Sequence, residues 1–194
     1  MIPSMTTEAS TKPNVRLKAQ LMSASEIERT LVRLAHQIIE KNNGTDHLVL
    51  VGIKRRGIPL AQRLARIIER IESKPVPVGT LDIALYRDDL TTVDVKPVVQ
   101  KQEMGASVED KNVILCDDVL YTGRTTRAAM DALFEHGRPR RVQLLTLIDR
   151  GRRELPIEAA FVGRHVQTTA REIVEVKLQE IDDMEKVLLV EREN

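Results

Sequence analysis

The sequence predicts an α/β fold, with a mostly parallel central sheet covered by helices on both faces. Three observations carry this. Short continuous apolar runs recur at residues 47–53 (HLVLVGI), 112–116 (NVILC) and 141–148 (RVQLLTLI). Strands buried on both faces of a parallel sheet read this way. Helical spacing of apolar residues appears in Ile27, Leu31, Leu34 and Ile38, and again in Leu60, Leu64, Ile67, Ile68 and Ile71. Finally, the order βαβ–β–loop–βαβ calls for crossover helices on a shared sheet.

The elements follow in order. Residues 1–13 are rich in Ser, Thr and Pro and are expected to be a disordered tail before one domain over 14–194. Residues 15–21 (VRLKAQL) alternate apolar and polar, as a short edge strand does. Ser23 and Glu26 have the spacing of a capping box, and Asn42, Asn43 and Gly44 end the helix that follows. The 47–53 strand runs into Lys54, Arg55, Arg56 and Gly57. A second helix starts near Pro59, and Ser73, Lys74 and Pro75 break it. Residues 76–85 read as a strand with Leu81, Ile83 and Leu85 on one face. Residues 86–110 carry many charges and no clear period, with a flap-like hairpin expected at 93–100. So long a loop inside a domain is usually functional or mobile.

After the 112–116 strand, a helix over 125–136 turns Ala128, Ala129, Ala132 and Leu133 inward. Gly137 caps it and Pro139 follows. The 141–148 strand comes next. A short strand is expected at 159–162 within an irregular stretch. Residues 173–178 and 186–190 give a hairpin around Asp182 and Asp183.

Composition narrows the function. A chain of 194 residues suits one domain with a real core. Aromatics are 2% with no Trp, which argues against a base-stacking RNA platform. Net charge is +1, so any polyanion site must come from local clusters of Arg and Lys. One cysteine, Cys116, excludes an internal disulfide and a Cys-based zinc site. It reads as a small strand hydrophobe, not a nucleophile. His36, His47, His136 and His165 have no metal-ligand spacing. No apolar run approaches the roughly 20 residues of a membrane span, and the first residues lack an apolar signal region. The expectation is a cytoplasmic protein without membrane contact.

The chemistry concentrates at residues 113–126 (VILCDDVLYTGRTT). An apolar strand ends in Asp117 and Asp118. Thr122, Gly123, Arg124, Thr125 and Thr126 then turn into a helix. Ligands of open α/β sheets bind beyond the carboxyl ends of strands. A Gly-containing loop at a helix N-terminus offers free N–H groups to an anion. Two carboxylates beside an anion site make sense if they accept hydrogen bonds from a sugar diol, or hold a hydrated Mg²⁺. The segment therefore asks for a phosphate, vicinal hydroxyls and a metal. Residues 52–57 have Walker A glycine spacing, but Ile58 and Pro59 stand where Lys-Ser/Thr is required. No G-x-G-x-x-G follows a strand.

These residues resemble the 5-phosphoribosyl 1-pyrophosphate (PRPP) motif of type I phosphoribosyltransferases: two acids, a short apolar link, then T-G-x-T-T. Residues 51–61 (VGIKRRGIPLA), 81–89 (LDIALYRDD) and 149–157 (DRGRRELPI) are similar to one branch, the PyrR pyrimidine-operon attenuators. The resemblance spans 15 to 190, in family order. It implies a type I phosphoribosyltransferase fold with a small hood, at about 150–169 together with the N-terminal strand. It implies transfer from PRPP to uracil, giving UMP and pyrophosphate with Mg²⁺. It also implies UMP-dependent binding of pyr operon leader RNA in transcription attenuation, with UTP a further ligand.

By the same resemblance, Asp117 and Asp118 face the ribose hydroxyls, and Thr122, Gly123, Arg124, Thr125 and Thr126 wrap the 5′-phosphate. Lys54, Arg55, Arg56 and Gly57 form the pyrophosphate loop. Arg87 begins a flexible loop, about 86–110, that closes over PRPP. Arg150, Gly151 and Val174 belong to the base hood. Arg33, His36, Arg152 and Arg153 are the candidate RNA contacts. Arg138, Arg140 and Arg141 add to that basic run, which alternation along a strand splits between two faces; a solvated basic edge would read alike. Val32, Arg55 and Arg152 depart from the branch, which often has Thr, Thr and His there. A homodimer or homotetramer is expected. The alternative function is transfer to a purine or orotate, with no RNA role.

Overall fold

Six apolar residues in a row make β2 (Leu48–Ile53), and all six are buried. Their alternation serves two layers. Leu48 and Leu50 pack with Leu31, Leu34, Leu60 and Leu64, while Val49, Val51 and Ile53 pack with Ala129 and Leu133 on the opposite face. The computed structural model describes residues 15–84, 86 and 104–193. The expected tail at 1–13, the hairpin at 93–100 and Arg87 lie outside the described residues.

β2 lies beside β3 (Val78–Leu81) and β4 (Asn112–Leu120). β5 (Arg141–Asp149) and β6 (Phe161–His165) extend the sheet in the order β3-β2-β4-β5-β6. Every pairing in it is parallel. On one face lie α1 (Ala24–Asn42) and α2 (Gly57–Glu72); on the other lies α3 (Arg124–Phe134). α1 begins with the expected capping box: Ser23 Oγ accepts from the Glu26 N–H, and the Glu26 carboxylate accepts from the Ser23 N–H. It ends at Asn43 in the left-handed conformation (φ 53°).

A second, antiparallel sheet runs β1-β8-β7. It joins β1 (Val15–Ser23), an edge strand as expected, to β7 (Glu172–Lys177) and β8 (Lys186–Arg192). The one-turn α4 (Gln179–Asp182) links β7 to β8.

Several boundaries differ from the sequence reading. The strand expected over 76–85 is only β3. Beyond it the Asp82 carboxylate accepts from the Ala84 N–H and the Tyr86 N–H donates to the Ile83 carbonyl, so the chain turns instead of extending. β4 continues past Cys116 through both aspartates because β5 still pairs with Asp117, Val119 and Leu120. The strand expected at 159–162 is β6, displaced to Phe161–His165, since its parallel partners on β5 start at Leu145. The α3 C-cap is Glu135, ahead of Gly137. Ile71 is exposed on the solvent side of α2. Within the expected hood at 150–169, β6 belongs to the main sheet, while the N-terminal strand β1 joins β7 and β8 in the small second sheet.

Candidate active site

β2, β3 and β4 end on the same edge of the sheet, so the loops that follow them meet there. Lys54 to Gly57 come after β2, Asp82 after β3, and Asp117 with Asp118 close β4. Lys54, Arg55, Arg56, Asp82, Asp117 and Asp118, with Ile83, Ala84, Val119 and Thr125, line one cavity of about 540 Å³. A second hollow of about 310 Å³ adjoins it, lined by Val119 through Thr126 and by Glu154. Val119 and Thr125 belong to both, which makes them neighbouring halves of one site.

The smaller hollow is built by the start of α3. Gly123 is the N-cap with φ 93°, and no side chain caps the helix. Thr122 Oγ1 accepts from the Arg124 N–H at 3.3 Å. The Thr126 hydroxyl is buried without a hydrogen-bond partner among the described residues. A buried hydroxyl left unpaired costs on the order of 1–3 kcal/mol. An uncapped helix start beside an orphaned hydroxyl suits an anion that would satisfy both. Glu154 completes the lining: the Glu154 and Leu155 N–H groups donate to the Thr122 carbonyl, and Glu154 pairs with Arg124 at 2.8 Å.

The paired aspartates occupy costly positions. Asp117 is buried and Asp118 half-buried. Burial, then the neighbouring Asp118 charge, pushes the Asp117 carboxyl well above its usual range. Burial also raises Asp118, opposed by hydrogen bonding from Asp117 and by the Arg56 charge. Each accepts one local backbone N–H at 2.9 Å: Asp117 from Asp118, and Asp118 from Val119. Remaining lone pairs beside a cavity suit hydroxyl donors or a hydrated divalent cation.

The Lys54–Gly57 turn forms the opposite wall. The Lys54–Arg55 peptide is cis. Lys54 and Arg55 are exposed, and Lys54 Nζ pairs with Asp82 at 2.9 Å. The Arg56 guanidinium makes a two-pronged pair with Asp182 of α4, at 2.7 and 3.1 Å. Gly57 is there for space: a Cβ would lie 2.2 Å from the Cys116 carbonyl oxygen. The turn therefore rides directly on β4, one residue before the aspartates.

The structure thus gathers Lys54, Arg55, Arg56, Gly57, Asp117, Asp118 and Thr122 to Thr126 around one site. It does not bring the hood residues there. Val174 is packed in the core with Met22 and Leu178. Arg150 is buried against the Tyr121 ring, 4.0 Å from its centroid, and donates to Thr168 Oγ1 and the Glu172 carbonyl at 3.1 and 2.6 Å. It is a clamp between β5 and β7. Gly151 is exposed, and its N–H donates to Asp149.

Of the candidate RNA contacts, Arg153 is the most engaged within the chain. Its guanidinium is consumed by the Ile157, Tyr121 and Gly151 carbonyls and by Asp149 at 2.6 Å. Arg33 lies on the surface but donates to the Gly163 carbonyl at 2.6 Å on the free edge of β6. His36 and Arg152 are exposed. Sequence reasoning missed Asp82, Glu154 and Asp182. The first lies just past the carboxyl end of a strand, so the strand-end rule could have found it. The other two partner arginines 30 and 126 residues away, and no local pattern encodes that.

Residues 19–181 match the phosphoribosyl transferase domain family. The bifunctional protein PyrR of Pelotomaculum thermopropionicum is 58% identical over 91% of this chain and 97% of its own. That of Thermus thermophilus is 55% identical over 92% and 99%. Among solved structures, the hypoxanthine phosphoribosyltransferase of Trypanosoma cruzi superposes with a TM-score of 0.68 at 18% identity, over 91% of this chain and 98% of that one. The last is a likeness of fold. The first three, joined to a site of paired carboxylates, an uncapped Thr-rich helix start and a cationic turn, make this chain a member of the phosphoribosyltransferase family in its PyrR branch.

Proposed function

We propose that this protein transfers the 5-phosphoribosyl group from PRPP to uracil, forming UMP and pyrophosphate, and that it binds pyr operon leader RNA in a UMP-dependent way. The observation that carries the enzymatic half is the open start of α3, with the unpartnered Thr126 hydroxyl buried in its first turn, in a hollow that adjoins the Asp117 and Asp118 cavity. Few ligands other than a phosphorylated sugar supply an anion and a diol together.

The roles follow from chemistry. Thr122, Gly123, Arg124, Thr125 and Thr126 hold the 5′-phosphate with N–H and hydroxyl donors. Asp117 and Asp118 accept from the ribose hydroxyls, fixing the ring while the anomeric carbon is attacked. Lys54, Arg55, Arg56 and the Gly57 turn receive the departing pyrophosphate, where stabilising developing negative charge has most effect. Arg87 and the loop it begins would close over the substrate and exclude water, with Met104 and Val108 anchored in the core.

Phosphoribosyltransferases use Mg²⁺ with PRPP, and a buried and a half-buried carboxylate whose charge the surroundings disfavour fit a cation shared with the substrate. Bound Mg²⁺ would neutralise part of the pyrophosphate charge. Uracil selection is assigned to the 150–151 turn and the β7 side of the second sheet, with Arg150 acting as their clamp. No described helix is long and apolar enough to cross a membrane. Exposed basic residues such as Arg152 would bind phosphates of RNA in a salt-dependent way, and a dimer would double them.

Base competition tests the enzyme. Uracil should be converted at least about a hundredfold better than hypoxanthine, guanine or orotate, since a base-recognising site left with unpaired polar groups discriminates on that scale or beyond. Preference for a purine would contradict the reading. For the regulator, UMP should tighten binding to a pyr leader RNA at fixed salt. Affinity that ignores UMP and equals that for a scrambled RNA would refute it.

A further inference from the structure

The second sheet is tied to the cationic turn by an ionic seam. On α2, Arg56 at the N-cap and Arg63 two turns later lie on one side of the helix. Facing them, the β7–β8 connection presents three acids. Arg63 binds Glu180 at 2.6 and 2.8 Å and Glu185 at 2.5 and 2.9 Å. Arg56 binds Asp182 through Nε and Nη2, at 3.1 and 2.7 Å. Asp182 is itself held, since its Oδ2 accepts from the Leu178 N–H at 3.0 Å.

The two halves of the seam are not equivalent. Arg63 spends its guanidinium on two carboxylates and lies outside the cavity. Arg56 lines the cavity, and its Nη1 has no partner among the described residues. Its side chain is about a third exposed and that of Asp182 about an eighth, at 29% and 13%. A planar guanidinium gripped on two nitrogens has its third nitrogen fixed in direction. A free arginine at a turn would have to surrender much of its rotamer freedom on binding an anion.

We propose that Asp182 is a positioning residue for phosphoryl-group binding. By its fork it pre-orients Arg56 toward the pyrophosphate of PRPP. This rests on the proposed phosphoribosyl transfer. The Glu180–Arg63 pair is a tether without that function.

The test is a binding cycle on the full chain, with titration calorimetry of PRPP in Mg²⁺. Asp182→Asn keeps the side-chain shape and removes the charge. It should weaken PRPP binding about tenfold and raise the KM for PRPP alike, leaving the KM for uracil within about twofold. In an Arg56→Gln background the same change should have no further effect, because the residue it orients is gone. Glu180→Gln should leave PRPP affinity as in the wild type, although it loosens the same connection.

Equal loss for Asp182→Asn and Glu180→Gln would overturn the assignment, as would additive losses for Asp182→Asn and Arg56→Gln. A wild type that binds PRPP but converts no base would refute the transfer reading, and the cycle would still decide Asp182 by binding. A wild type without PRPP affinity would overturn both.

Discussion

Asp117 and Asp118 stand where burial penalises their charge, and this has a measurable consequence in the ligand-free protein. The Asp117 carboxyl lies well above its ordinary 3.8 in the folded chain. Below pH 3.8 it is protonated in both folded and unfolded chains, so nothing is lost. As pH rises toward the elevated folded value, the unfolded chain ionises first and stability falls. Asp117→Asn should therefore raise the melting temperature at pH 7, with the gain shrinking toward zero near pH 4. A thermal scan at several pH values checks this; a gain independent of pH would point to packing instead. Stability given up at a functional site in this way is common. At this scale the sequence was informative where chemistry is local. Asp117, Asp118 and Thr122 to Thr126 are contiguous, and a strand-to-helix turn is enough to bring them together. Arg153 and Asp182 were opaque because their partners are fixed by packing. An exposed-looking arginine in DRGRRE is in fact bound on four sides.

Among elements, the meeting of the cationic turn with β4 sets the site. Gly57 opens α2 with its Cα against the Cys116 carbonyl, where a methyl group would sit at 2.2 Å. Gly57→Ala must push α2 or β4 aside. Overpacking of this kind costs roughly 1–3 kcal/mol. Urea unfolding should show that loss, accompanied by a drop in PRPP affinity larger than Glu180→Gln gives. Wild-type stability in Gly57→Ala would mean that the contact relaxes freely. The central strands were legible because burial on both faces leaves an unbroken apolar run. The short β3 was overestimated because Leu81, Ile83 and Leu85 mimic alternation, whereas Asp82 turns the chain by accepting from the Ala84 N–H. β4 was underestimated because polar aspartates at 117 and 118 look like a strand end, yet β5 carries the ladder past them.

Over the whole molecule, two sheets divide the work. The five-stranded parallel sheet supplies the PRPP side at its carboxyl edge, and the three-stranded sheet of β1, β7 and β8 lies on the α1–α2 side, sharing their core. The seam of Arg56 and Arg63 with the β7–β8 connection joins the two. The parallel sheet follows from the order of its segments. The second sheet does not, since it pairs β1 with β8 from the far ends of the chain. The account rests on the claim that Asp118 and the α3 start act on one phosphorylated ribose. The initial rate of UMP formation from uracil and PRPP, in wild type and Asp118→Asn with Mg²⁺ supplied or chelated, tests it most directly. The account predicts turnover in wild type that stops when Mg²⁺ is chelated, and a fall of about a hundredfold or more in Asp118→Asn with its fold retained. Turnover unchanged by Asp118→Asn, or none in wild type, would contradict it.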